Sequence, residues 1–295
     1  MNNYHIPVLL QEVLHYLNIK PGELYVDCTL GGGGHALSIV RSGGKVLALD
    51  VDTDAILYVR KLIEKEKIHD GEEITIVQDN FSNVKKIAKE KGFFPVSGVL
   101  MDIGVSSYQL GESKRGFSFV DGPLDMRMDQ SLSVQAKDLV NGLTEKELTF
   151  LFEKLGEERF AKKIAKVIVE RRKDHQIEST GELAELVKES VFRSDHDIHP
   201  ATRIFQALRI AVNDELHILE DSLPQAVSLL KPHGRLVVIS FHSLEDRIVK
   251  RAFEQFEKEG KGKVITKKPI QASEKEVLSN RRARSAKLRV FEKKE

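Results

Sequence analysis

Short apolar runs of five to seven residues alternate, over the first hundred positions, with longer stretches in which apolar residues recur every three or four places. The runs at 24–28, 45–50, 74–78 and 96–102 predict strands, and the stretches at 35–42, 53–67 and 82–91 predict helices. Before them, residues 5–18 put Val8, Leu9, Leu10, Val13, Leu14 and Leu17 on one helical face, and Pro21-Gly22 breaks that segment. Such an alternation predicts an α/β fold, a parallel sheet with helices on both faces.

The rhythm then fails. The next clear strand, 235–240, follows some 130 residues later, far more than a crossover needs. Helical patterns with charged outer faces fill 144–155, 157–172 and 181–192. Thr144-Glu145-Lys146-Glu147 and Ser179-Thr180-Gly181-Glu182 read as helix starts. The reading is therefore a main domain of residues 1–130 and 200–295 with a helical domain, 131–199, inserted in it. A helix from 200 to about 219 is assigned to the return. A helix at 244–258 and strands at 264–266 and 287–291 follow. A sheet closed by an antiparallel pair is how the class I (Rossmann-like) methyltransferase fold ends, and dehydrogenase domains normally do not end so.

Composition excludes several classes. Apolar residues at 41%, charged residues at 31% and a formal net charge of +1 describe a globular chain without a global field toward nucleic acid. No apolar run reaches a membrane span and no leader pattern opens the chain, which leads us to expect a cytoplasmic protein. The single cysteine, Cys28, rules out internal disulfides and all-cysteine metal or iron–sulfur sites.

The chemistry gathers around the first strand. It ends at Asp27 and runs into Gly31-Gly32-Gly33-Gly34-His35, after which a helix opens. Glycines let a ligand approach the backbone and allow the tight turn. Asp50 closes the next strand nineteen positions after Gly31, where a ribose hydroxyl pair is held in nucleotide-binding folds. Asp27 argues against a pyrophosphate, which it would repel, and for a ligand with a cationic end such as S-adenosylmethionine. Asp79 and Asp102 fall at the next two strand ends, and four such acids in succession predict the lining of one crevice.

Asp102-Ile103-Gly104-Val105-Ser106-Ser107 ends the fourth strand. A carboxylate there suits methylation of a nitrogen or oxygen by positioning and electrostatics. Carbon-5 methylation of cytosine needs a thiolate, which this segment lacks. The Gly/Pro-rich stretch 116–129, with Phe117, Phe119 and Arg127, reads as a loop with stacking groups for an unpaired base. Ser194-Asp195-His196-Asp197-Ile198-His199 reads as a solvated turn and not a metal site. Arg203, Arg282 and Arg284 stand among the basic groups that could hold phosphates.

Taken together, several segments resemble the bacterial 16S ribosomal RNA cytosine-N4 methyltransferases, the MraW or RsmH family. They are His5-x-Pro7-Val8-Leu9-Leu10, the glycines with His35, Asp102 to Ser107, Arg115-Gly116-Phe117-Ser118-Phe119, residues 122–129, Gly156-Glu157-Glu158-Arg159-Phe160-Ala161, His199-Pro200-Ala201-Thr202-Arg203, Ile239-Ser240-Phe241-His242-Ser243-Leu244-Glu245-Asp246-Arg247 and Asn280-Arg281-Arg282-Ala283-Arg284-Ser285. The resemblance implies S-adenosylmethionine as methyl donor and a cytosine near the decoding centre of 16S rRNA as target, with the small ribosomal subunit as partner. It leaves room for a homodimer and implies no membrane. By position it implies Gly33, Gly34, His35, Asp50, Phe81, Asp102 and Gln109 as donor-binding residues, whereas Asp27 rests on its charge alone. The D/N/S-P-P-Y/F motif of amino-methyltransferases acting on DNA is absent, since Ile103-Gly104-Val105 stands in its place. Two rival readings are a methyltransferase for a protein or small molecule, and a non-catalytic ribosome-assembly factor that keeps the donor as a structural ligand.

Overall fold

The computed structural model describes residues 7–191 and 199–295. His5 and residues 194–198 of the histidine-bearing turn lie outside the described residues. Two compact units emerge: Met1–Gly104 with Leu216–Glu295, and Val105–Glu215.

The first unit holds β1 (Leu24–Asp27), β2 (Lys45–Asp50), β3 (Ile74–Gln78), β4 (Val96–Asp102), β5 (Leu230–Ser240), β6 (Gly262–Val264) and β7 (Lys287–Lys293). They form one sheet in the order β3-β2-β1-β4-β5-β7-β6. The first five run parallel, and β7 is antiparallel to both β5 and β6. The closing antiparallel pair is thus present. Its outer strand sits two residues earlier than the expected 264–266, although Ile265 N–H still donates to Val290 O at 2.9 Å.

Helices α1 (Leu10–Leu17), α2 (Gly34–Arg41), α3 (Thr53–Glu66) and α4 (Val84–Glu90) alternate with the first four strands. The second unit contributes α5 (Ser107–Gly111), α6 (Ala136–Gly142), α7 (Glu145–Leu155), α8 (Ala161–Arg171), α9 (Thr180–Ser190) and α10 (Thr202–Asn213). The chain then passes through α11 (Glu215–Leu229), α12 (Ser243–Lys258) and α13 (Glu274–Ser279).

Alternation along the strands divides the first core in two, as expected for a sheet buried on both faces. Val46, Ala48, Ile74, Leu100, Val237 and Ile239 pack with Val13, Leu37, Val59 and Ile63 on one face. Leu47, Leu49, Val99, Met101, Leu236 and Val238 pack with Ile87, Leu223, Val249 and Phe253 on the other.

The second unit has its own core, with Phe152, Ile164, Ile168, Leu183 and Val187 at its centre. Thr144 and Ser179 accept the N–H groups of Glu147 and Glu182, the caps their sequences suggest. Two features differ from the sequence reading. Val105, Phe117, Leu124 and Met126 bury into this core, as do Ile204, Phe205 and Leu208 of α10. The structural division therefore falls at 104/105 and 215/216, where the sequence reading put 130/131 and 199/200. The expected continuous helix from 200 to 219 is broken at Asp214, whose φ of 49° ends α10.

Candidate functional site

Asp27 closes β1, Asp50 closes β2 and Asp102 closes β4, while Asp79 follows β3 directly. Because these strands are parallel and adjacent, all four acids stand at one edge of the sheet. That edge is where ligands of open α/β sheets sit. Asp79 N–H donates to Asp50 O at 3.0 Å, so the turn after β3 is tied to the end of β2.

The glycine turn is fastened in the same way. Leu30 N–H donates to Leu49 O at 2.8 Å and Gly33 N–H to Leu30 O at 2.8 Å. Gly33 has a φ of +77°, and a Cβ there would stand 3.0 Å from a methyl of Val59. A Cβ on Gly34 would stand 3.0 Å from the Pro7 ring. The left-handed backbone favours glycine at Gly33, and a Cβ at either position would press on its neighbour. α2 starts at Gly34 without a side-chain cap, and the first N–H groups of a helix have no intrahelical acceptors.

Beside this turn lies a polar group of four residues, two of them buried. Asp27 is wholly buried, and its Oδ1 accepts the Thr29 N–H at 3.0 Å and the Thr29 hydroxyl at 3.4 Å. Thr29 Oγ1 in turn accepts the Asp102 N–H at 2.7 Å, joining the ends of β1 and β4. His35, also buried, places Nε2 3.5 Å from Asp102 Oδ2. Asp27 Oδ2, Asp102 Oδ1 and both ring nitrogens of His35 find no hydrogen-bond partner among the described residues. Burial pushes the Asp27 carboxyl up to about 6, with the neighbouring Asp102 adding to it, while His35 and the Thr29 N–H act the other way. Buried polar atoms left without partners are costly, and several around one turn are the signature of a site shaped for a ligand.

Asp50 accepts Gly31 N–H on Oδ2 at 2.7 Å and Asp52 N–H on Oδ1 at 2.9 Å. Its carboxyl is likewise pushed up to about 6, by burial first, with those two N–H groups pulling it down. Phe81 opens the short turn after β3 and packs, half-buried, against the core on one face of the sheet.

Other expected residues are distributed between the units. Gln109, in the second unit, closes a capping box: its Oε1 accepts Ser106 N–H at 2.9 Å and its N–H donates to Ser106 Oγ at 3.2 Å. Arg127 is engaged within its own loop, bidentate on Asp125 at 2.8 Å and donating to Gln130 O and Leu132 O. Phe117 is a core residue, which corrects its reading as a stacking group. Phe119 stacks on His199 at 4.4 Å and meets Phe205 edge-on. Arg203 is exposed and donates to Glu157 O at 3.0 Å. In the first unit Arg284 is exposed, and the Arg282 guanidinium lies 5.6 Å from the centre of the Phe241 ring.

Sequence reasoning gave no role to Thr29 or to the residues of the turn after β5. Glu245, fully buried, accepts Phe241 N–H at 2.7 Å and His242 N–H at 3.3 Å. The signal was present: β5 neighbours β4, so its carboxyl end belongs to the same edge.

A seven-stranded sheet in this order, with an acid-tipped glycine cradle at its carboxyl edge, defines a Rossmann-like methyltransferase fold. A family model described as the MraW methylase family matches residues 2–294, and the chain belongs to that family. Curated relatives include proteins called "Ribosomal RNA small subunit methyltransferase H" from Carboxydothermus hydrogenoformans and Clostridium botulinum. The first is 48% identical over 98% of this chain and 97% of its own length. The second is 46% identical over 98% of each. A third of that name, from Brevibacillus brevis, is 45% identical, again over 98% of each chain.

Proposed function

We propose that this chain transfers a methyl group from S-adenosylmethionine to the N4 amine of a cytosine in 16S rRNA, near the decoding centre of the small ribosomal subunit. Family membership and the names of the relatives support this reading. The observation that carries it is the pair of carboxylates, Asp27 and Asp102, each with a buried oxygen that has no hydrogen-bond partner among the described residues, beside the tightly packed glycine turn.

These residues suit the donor. Asp27 offers a carboxylate to an ammonium, and the start of α2 offers N–H groups to a carboxylate. Asp50 uses one acceptor site on each oxygen for the backbone and keeps others for two ribose hydroxyls. Phe81 offers an aromatic face to adenine. When bound, S-adenosylmethionine supplies an activated methyl group on a sulfonium.

For the acceptor, Asp102 Oδ1 takes a hydrogen bond from the cytosine amine, which favours a pyramidal nitrogen with its lone pair directed at the methyl carbon. Transfer of the donor's methyl group to that nitrogen would release one proton, and Asp102 would take it up. Attack on ring carbon 5 is disfavoured. The only cysteine, Cys28, is buried, and burial pushes its thiol well above the ordinary range.

The test is methyl transfer from labelled donor to small subunits, and to naked rRNA, from a strain lacking the gene. Label in 16S rRNA is expected. Donor binding with no transfer to either substrate would favour the assembly-factor reading.

A further inference from the structure

Amino-methyltransferases of DNA place an aromatic just after the strand-four acid to stack on the target base, and this chain has Ile103-Gly104-Val105 there. The neighbouring strand supplies an aromatic at that place. Asp102 pairs with Ile239 in the sheet, and Ile103 N–H donates to Ile239 O at 3.0 Å. The next residues of the two strands therefore run side by side, and a Cβ on Gly104 would lie 3.7 Å from Cδ2 of Phe241. The left-handed φ of Gly104, +101°, carries the β4 chain past that ring.

The position of Phe241 is held from behind. Buried Glu245 accepts its N–H and that of His242, which fixes the turn between β5 and α12. The ring is half-buried, packs beside one face of the sheet, and has the Arg282 guanidinium over it at 5.6 Å. Unpaired bases stack on aromatic rings and on guanidinium planes alike. The other aromatics raised by the sequence are otherwise engaged: Phe117 in the helical core, Phe119 with His199 and Phe205, and Phe81 beyond β3.

We infer that Phe241, with Arg282 across it, is the shelf on which the target base stacks beside Asp102. The inference rests on the proposed methylation of a base. It makes the end of β5 provide what the segment after β4 provides in the DNA enzymes. Arg282 then acts through its flat face as well as its charge, in contrast to Arg284, a phosphate contact only.

Phe241→Leu keeps most of the volume and removes the π face, and Phe241→Tyr keeps both. With small subunits as substrate, Phe241→Leu is expected to lower kcat/KM roughly five- to a hundredfold, the range of one base–aromatic stack. Donor affinity by calorimetry should stay at the wild-type value, and Phe241→Tyr should restore the rate. Arg282→Gln should lower the rate severalfold, and this variant carries the test if Phe241→Leu does not fold. Three results would overturn the shelf: Phe241→Leu within twofold of wild type, donor affinity falling in step with the rate, or Tyr doing as much harm as Leu. Wild-type protein that methylates no base would overturn the functional reading itself, a result distinct from any of these.

Discussion

At Asp50 both carboxylate oxygens are already held by backbone N–H groups, so the side chain is oriented before any ligand arrives. Asp50→Ala is expected to weaken S-adenosylmethionine binding about ten- to a hundredfold, the effect of losing charged hydrogen bonds of about 1.5–3 kcal/mol. Unchanged affinity by calorimetry on folded protein would remove Asp50 from the site. Asp27 and Asp50 also carry a pH signature. Each has a carboxyl raised to about 6, so between about pH 4 and 6 the folded chain binds more protons than the unfolded one. Their contribution to stability therefore falls as pH rises through that window. An ammonium bound at Asp27 favours the ionised form, so the gain in Tm from saturating donor should grow from pH 5 to pH 7. An equal gain at both would contradict the assignment of Asp27. Asp102→Asn turns a donor group toward an amine that already has two protons. Single-turnover methyl transfer at saturating donor should fall by orders of magnitude. A fully active variant would exclude Asp102 from the chemistry. At this scale the sequence shows the acids, because a carboxylate ending an apolar run stands out. Thr29 escapes notice because its bond to the Asp102 N–H crosses the fold, which no pattern in the chain records, whereas Glu245 closes a local capping box with His242 at the start of α12.

The first four strands and the helices between them are legible within one or two residues, since each strand is an apolar run bounded by polar turns. The glycine turn shows how much of an element's meaning depends on packing. Gly33 reads in the sequence as one of four alike, yet its φ of +77° and the 3.0 Å approach of Val59 make it a demanding position. Gly33→Ala should lower stability by about 1–2 kcal/mol for the left-handed backbone alone, with donor affinity falling too. A thermal melt and a donor titration matching wild type would show that the turn has room to spare. The break between α10 and α11 was not legible, because Asp214 interrupts a run of good helix formers with a backbone conformation and without glycine or proline.

For the molecule as a whole, the sequence shows that an insertion exists but not where it begins. Phe117, Leu124 and Met126 look like loop residues by their glycine and proline neighbours, and only packing reveals them as part of the second core. A formal charge of +1 likewise hides any surface for RNA, which must be built from local groups. Charge reversal at Arg203, Arg282 and Arg284 should lower RNA affinity and flatten its dependence on salt by roughly one logarithmic unit per lost phosphate contact. A triple variant with the original slope would leave these arginines as a solvated face. The most direct measurement is nucleoside mass spectrometry of 16S rRNA from small subunits lacking the modification, after incubation with the protein and labelled donor. Label on the base of a single cytosine, as N4-methylcytidine, is the expected result. Label on carbon 5, on a ribose oxygen or on another base would contradict it.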